Sequence, residues 1–243
     1  MPIRSSIKRM LISGIQKFTV TDFPDHTACI LFTAGCNFRC GYCHNSEFVL
    51  PEKLKELRDS FIDHKAALSF LEARKGLLEG VVISGGEPTM MPDLLDWIRT
   101  IKSMGFKVKL DTNGTKPQLV QEALDKGLLD YVAMDIKAPM NRYEELAGVT
   151  VNHSALNATI DLLKGSSIAY EFRSVLIKGF HSIEDIHAMI DLASGANRYR
   201  FLRFRPDNTL CAAFTFYKHF SLVEMKEFIS TANNTINEVI YEP

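Results

Sequence analysis

The segment Cys36-Asn-Phe-Arg-Cys40-Gly-Tyr-Cys43 places three thiols within eight residues at the spacing C-x3-C-x2-C. The chain has five cysteines in 243 residues. At that frequency such a triple arises by chance in about 0.002 of chains, so the spacing calls for a chemical explanation. A disulfide framework is a poor one, because the count is odd and three cysteines crowd one short loop. Metal is a better one, and reduced thiols are then expected. Zinc would need a fourth ligand, His44 or a distant residue. His44 directly follows Cys43, and adjacent residues rarely reach one tetrahedral ion from a tight loop, while Cys29 and Cys211 have no partner at zinc-ligand spacing. An iron–sulfur cluster ordinarily takes four cysteines, so a compact set of three leaves one iron to be ligated by something else.

Three further segments carry unusual residues: Ser84-Gly85-Gly86-Glu87-Pro88, Asp111-Thr-Asn-Gly114 and Asp135-Ile-Lys137. Each has an ordinary reading when taken alone. Gly-Gly-Glu-Pro is a turn, Asn-Gly favours φ > 0 at the end of a strand, and Asp135 with Lys137 makes a surface ion pair. The functional reading is that glycines without side chains let backbone approach a ligand closely, with carbonyl or carboxylate oxygens accepting from an ammonium group.

The elements that must position these segments alternate along the chain. Apolar runs predict strands over 27–34, 80–83, 107–110, 131–134, 168–176 and 200–204, with an extended segment over 235–241. Helical spacing predicts helices over 60–75 (ending near Gly76), 94–104, 117–126, 154–164, 183–194 and 222–232. Six β–α units in series predict an α/β fold with a parallel sheet, either curled into an open barrel or doubly wound. The four unusual segments each follow one of the first four strands. In such sheets ligands sit at the carboxyl ends of the strands, so the four loops should converge on one pocket.

With the cysteine triple after the first strand and Gly-Gly-Glu-Pro after the second, the chain resembles the radical S-adenosylmethionine superfamily. The resemblance implies an open partial (β/α)6 TIM-like barrel with a core over residues 14–206 and a C-terminal helix and extended tail over 207–243, all in one domain. It implies a [4Fe–4S] cluster on Cys36, Cys40 and Cys43. In that superfamily the methionine amine and carboxylate of S-adenosylmethionine chelate the open iron, and an electron from the reduced cluster cleaves the sulfonium to give a 5′-deoxyadenosyl radical, and the resemblance implies the same here. Within the superfamily the chain is most similar to the activating enzymes of glycyl radical enzymes, such as those of pyruvate formate-lyase and anaerobic ribonucleotide reductase. Phe32–Gly35 leading into Cys36, Tyr42-Cys43-His44-Asn45, Gly85-Gly86-Glu87-Pro88, Asp111-Thr112-Asn113-Gly114 and Asp135-Ile136-Lys137 carry that likeness.

Motif by motif, the resemblance puts Tyr42 and the His44 backbone near the adenine, and Gly85, Gly86 and Glu87 at the methionine amine. Asp111, Thr112, Asn113 and Asp135 fall near the cofactor carboxylate, where family members hold a monovalent cation, and Lys137 and Arg173 are further contacts. Two segments depart from the pattern. Asp22-Phe-Pro-Asp25 stands where activases often carry Asp-Gly-Pro-Gly, and Arg203-Phe-Arg-Pro206, with Arg205 as the adenosine contact, replaces a histidine of pyruvate formate-lyase activases. The second departure favours the anaerobic ribonucleotide reductase type as partner. A flavodoxin or ferredoxin-type reductant is implied, and auxiliary clusters are not, since no further cysteine-rich insertion follows Cys43.

Composition sets the outer bounds. Hydrophobic residues at 46% and charged residues at 23% suit a globular chain, and a net charge of −1 supplies no global basic field for nucleic acid. Residues 1–8 are polar without an apolar stretch behind them, and no run of about 18 apolar residues follows, so a cytoplasmic, membrane-free protein is expected. Cys29 reads as a small hydrophobe in its strand and His187 as a solvated helix residue; Cys211 has no evident role. Two other functions stay open: the same radical chemistry on a small molecule or nucleotide, such as a deazapurine step, and a metal-binding module without catalysis.

Overall fold

The computed structural model describes residues 10–243, so the N-terminal segment 1–8 lies outside the described residues. Eight strands form one sheet: β1 (Ile12–Thr19), β2 (Ala28–Thr33), β3 (Gly80–Gly85), β4 (Lys107–Thr112), β5 (Tyr131–Asp135), β6 (Ala169–Leu176), β7 (Arg198–Arg203) and β8 (Glu238–Glu242). They pair in sequence order, and every pair is parallel except β1 with β2. A doubly wound sheet reverses its order at a switch point. The uninterrupted order here is instead that of a barrel wound one way, and β8 does not pair with β1, so it stays open.

The helices are α1 (Pro51–Glu56), α2 (His64–Glu72), α3 (Leu94–Ser103), α4 (Pro117–Asp125), α5 (Tyr143–Ala147), α6 (His153–Gly165), α7 (Ile183–Ala193) and α8 (Leu222–Ala232). Local chemistry sets several of their starts. Asp63 caps α2 through the Lys65 N–H, proline opens α1 and α4, and Ser182 and Ser221 form reciprocal capping boxes with Asp185 and Glu224 at α7 and α8.

The period of two along the strands divides the core. Cys29, Leu31, Val81, Ile83, Val108 and Leu110 face outward and pack with helix residues such as Leu71, Ile98, Ile101 and Val120. Ala28, Ile30, Val82, Tyr131 and Ala133 face inward around Phe23. Lys109 and Asp111 alternate with Val108 and Leu110, so they too face the barrel interior. Cys29 is fully buried, as a strand hydrophobe should be, and His187 is exposed.

Several local expectations change. The helix expected over 60–75 shortens to α2, because Asp63 caps it late and Ser60 ends a separate 3-10 turn, Arg58–Ser60, that leads into extended Phe61. β1 and α5 were not anticipated. β1 is a half-exposed edge strand without a long apolar run, and α5 is a single turn. The extended segment expected over 235–241 is β8, a full partner of β7 rather than a tail. The departure Asp22-Phe-Pro-Asp25 is a plug: Phe23 closes the lower end of the barrel, and a Cβ on Gly80 would lie 2.7 Å from its ring. No helix among the described residues is long and apolar enough to cross a membrane.

Candidate functional site

The loops after β2, β3, β4 and β5 converge on one cavity of about 340 Å³ at the carboxyl ends of the strands. Cys36, Cys40, Cys43, Tyr42 and His44 line it from the first loop; Gly85, Gly86 and Glu87 line it from the second. Asp111, Thr112, Asn113, Asp135, Lys137 and Arg173 complete the wall, so every expected site residue but Arg205 is gathered there. Arg205 is exposed and stands in an adjoining groove with Tyr42, His44 and Leu202. β7 ends at Arg203, so Arg205 has already left the barrel when the chain passes the cavity.

Backbone contact welds the second loop to the cysteine loop. The Gly86 N–H donates to Thr33 O and the Glu87 N–H to Gly35 O, both at 2.8 Å. A Cβ on Gly86 would lie 2.0 Å from Gly35 O, and Gly85 has φ of 112° with Thr33 O 2.4 Å from its would-be Cβ. Only glycine fits at either position.

Glu87 is 1% exposed and serves as a brace. Its Oε1 accepts from the Thr89 N–H (3.1 Å), Thr89 Oγ1 (2.5 Å) and Thr112 Oγ1 (2.7 Å), and its Oε2 from the Asn113 N–H (2.7 Å). Burial pushes its pKa up against these bonds, which favour the carboxylate. Both oxygens are thus engaged within the protein. A second clasp holds the cysteine loop: Asn113 Nδ2 donates to Asn37 Oδ1 and Asn37 Nδ2 to Thr115 Oγ1, each at 2.8 Å. Asn37 and Thr115 were not foreseen, because amides and hydroxyls in loops carry no pattern of their own.

Charge is concentrated at the cavity floor. Asp111 Oδ2 accepts from Ser84 Oγ (2.9 Å) and Arg173 Nη1 (3.0 Å), and its Oδ1 has Lys109 Nζ at 2.9 Å. Asp135 meets Arg173 Nε at 2.9 Å and Lys137 Nζ at 3.2 Å; that ammonium also donates to the Tyr42 hydroxyl at 3.3 Å. Burial alone would raise both aspartates, but Arg173 and Lys109 hold Asp111 down to about 2, and Arg173 and Lys137 hold Asp135 below the ordinary range. Asp22, on the plug, also lines the cavity.

The three thiols carry no disulfide, and burial pushes Cys36 up to about 12, Cys40 to about 11 and Cys43 upward as well. As bare thiols they stay protonated, and a strongly cationic iron is what would make thiolates of them. Among the described residues no three His, Cys, Asp or Glu side chains converge as on one ion; thiols that each serve a different iron need not. The donor set fits a cluster with three protein ligands, beside a polar space floored by carboxylates and cations. His44 is exposed, its carbonyl accepting from Asn208 Nδ2 at 3.1 Å. Cys211 is exposed, but its N–H donates to Gly41 O at 2.9 Å, and Phe214 packs so closely on Gly41 that a Cβ there would lie 2.1 Å from the ring. The segment after β7 therefore straps the cysteine loop from outside.

Comparison with known proteins agrees with this geometry. A Methanocaldococcus jannaschii protein named as a glycyl-radical enzyme activating enzyme is 31% identical over 239 residues, 96% of this chain and 95% of its own. The pyruvate formate-lyase 1-activating enzyme of Escherichia coli K12 is 30% identical over 163 residues, 64% of this chain and 63% of that enzyme. Among solved structures, QueE from Escherichia coli superposes with a TM-score of 0.57 at 16% identity, over 96% of this chain and 94% of its own, which shows a shared fold. The description of the radical SAM superfamily fits residues 30–193, from β2 through α7 and across all the cavity loops. With the three-cysteine loop, the Gly-Gly-Glu-Pro weld and the open parallel barrel in place, the chain belongs to the radical SAM superfamily.

Proposed function

We propose that this chain is an activating enzyme that takes a hydrogen atom from a backbone glycine of a partner glycyl radical enzyme, most specifically anaerobic ribonucleoside-triphosphate reductase. The observation that carries the reading is the match to the Methanocaldococcus jannaschii activating enzyme over nearly the whole of both chains. Cys36, Cys40 and Cys43 would hold the cluster, which would supply the one-electron chemistry that makes S-adenosylmethionine a source of a hydrogen-abstracting radical.

The residues of the chain bind and orient. The amino-acid end of the cofactor carries an ammonium and a carboxylate, and for the carboxylate the cavity floor offers Arg173 and Lys137, both held in place by Asp111 and Asp135. The Gly85-Gly86 backbone lets the ammonium come close, with Glu87 holding that loop to the Asp111 loop rather than touching the ligand. Tyr42 and the His44 backbone stand on the side where the adenine would stack. Glycine suits the reaction because it has no side chain to block approach, and its Cα radical delocalises over the flanking amides. The reading takes the chain as one radical SAM domain acting in the cytoplasm, reduced by a flavodoxin or ferredoxin-type donor.

The test mixes anaerobically reconstituted, reduced enzyme and S-adenosylmethionine with anaerobic ribonucleotide reductase and with other glycyl radical enzymes. A glycyl radical doublet in the electron paramagnetic resonance spectrum of the reductase is the expected result. A doublet on another of these enzymes replaces the partner. No doublet on any, with turnover of a small metabolite instead, replaces the function.

A further inference from the structure

All four carboxylate oxygens of Asp111 and Asp135 already have a cationic neighbour from the protein. Asp111 has Lys109 Nζ at 2.9 Å on Oδ1 and Arg173 Nη1 at 3.0 Å on Oδ2. Asp135 has Arg173 Nε at 2.9 Å on Oδ1 and Lys137 Nζ at 3.2 Å on Oδ2. Behind them Lys109 reaches Glu171 at 3.7 Å, and Arg200 meets Glu171 at 3.1 Å and Glu242 at 3.2 Å, so each of these carboxylates already faces a cation of the protein. Of the other acids around the cavity, Glu87 is committed to the Thr89, Thr112 and Asn113 donors, and Asp22 stands on the plug.

This arrangement does not fit the monovalent cation expected beside Asp111 and Asp135. An added ion would meet the Arg173 guanidinium that already bridges the two aspartates, and like charges repel strongly where little water screens them. Lys109 cannot step aside: it is 1% exposed, and its ammonium lies 5.7 Å from the Tyr131 ring centroid. Its Nζ, 2.9 Å away, is the one cationic neighbour of Asp111 Oδ1 among the described residues. We propose that the buried ammonium of Lys109 takes the place of that cation, so that cofactor binding needs no added Na⁺ or K⁺. Lys109 does not line the cavity; it is a positioning residue that acts through Asp111. The inference rests on the cavity being the cofactor site.

S-adenosylmethionine affinity of the reconstituted enzyme is read from the reduced cluster's electron paramagnetic resonance spectrum in NaCl, KCl and choline chloride at equal ionic strength. The melting temperature of the full chain before reconstitution is read in the same salts. Wild-type affinities should agree within about twofold and melting temperatures within about 1 °C, since an ion that does not bind does not stabilise. Lys109→Met should weaken binding about tenfold in choline chloride, with part of the loss restored by Na⁺ or K⁺ entering beside the freed oxygen. If that variant does not fold, Lys109→Met with Glu171→Gln, which removes one charge of each sign, should behave the same way. Wild-type binding that tightens about tenfold in Na⁺ or K⁺, or wild-type melting raised by several degrees, overturns the proposal, as does a variant that neither ion restores. Failure to bind S-adenosylmethionine in any salt would sink the cofactor reading instead, while the melting series still decides whether the floor takes a cation.

Discussion

His181 should make the protein acid-labile at a pH above the window of Asp111. The imidazole is 4% exposed: its Nδ1 accepts from the Ile177 N–H at 3.0 Å, which fixes Nε2 as the protonated nitrogen, donating to Lys137 O at 3.1 Å. A second proton on Nδ1 would face the Ile177 N–H. Burial is the main cause that lowers the pKa from 6.5 to about 4. A lowered base favours folding while neutral, so its contribution is complete above 6.5 and is lost as pH falls from 6.5 toward 4, where only the unfolded chain takes the proton. Over that shift the loss is about 2 kcal/mol by about pH 5 and about 3 kcal/mol by about pH 4. Asp111 acts in a lower window, between 3.8 and about 2. Urea denaturation of the full chain across this range, compared with His181→Asn, isolates the group: the wild-type curve should fall between pH 6.5 and 5 by about 2 kcal/mol more than the variant's. Parallel curves, or a His181 ring proton that titrates near 6.5 by NMR, would refute the buried neutral imidazole. Because the added proton enters at Nδ1, the bond this titration breaks is the one from the Ile177 N–H.

Changing any of Cys36, Cys40 or Cys43 to Ala should abolish iron and sulfide uptake on anaerobic reconstitution while circular dichroism stays unchanged; zinc at one per chain with no iron would contradict the cluster. Gly86→Ala should displace the loop from Gly35, costing about 2 kcal/mol from two strained backbone hydrogen bonds and most of the S-adenosylmethionine affinity, read by urea denaturation and by the cluster's spectrum. Phe23→Ala should cost about 3–5 kcal/mol by emptying the plug, and a loss under about 1 kcal/mol would mean that the lower end of the barrel closes without it.

Much of the fold is legible in the residues because its causes are local. Runs such as Ala28–Thr33 and Gly80–Gly85 are apolar on both faces, as strands covered by helices must be, and amphipathic segments between them report those helices. Three cysteines in eight residues, and glycine pairs after a strand, restrict the chemistry wherever the chain goes. Which residues oppose each other across the barrel is not local. Lys109 reads as one more polar residue in a strand, two places before Asp111, and only the register of β4 on β5 and of β5 on β6 brings it to Glu171. Glu87 reads as a ligand-facing carboxylate, yet the return of the chain at Asn113 takes both its oxygens. Asp22-Phe-Pro-Asp25 reads as a departure from a motif and is a plug, because only the assembled barrel leaves a hole of the size of Phe23. The sequence determined the kind of chemistry, since side-chain type and short spacing decide which ligands are available. The tertiary structure decided which of those groups are free to act, because burial and partners from distant strands set what each charge already holds.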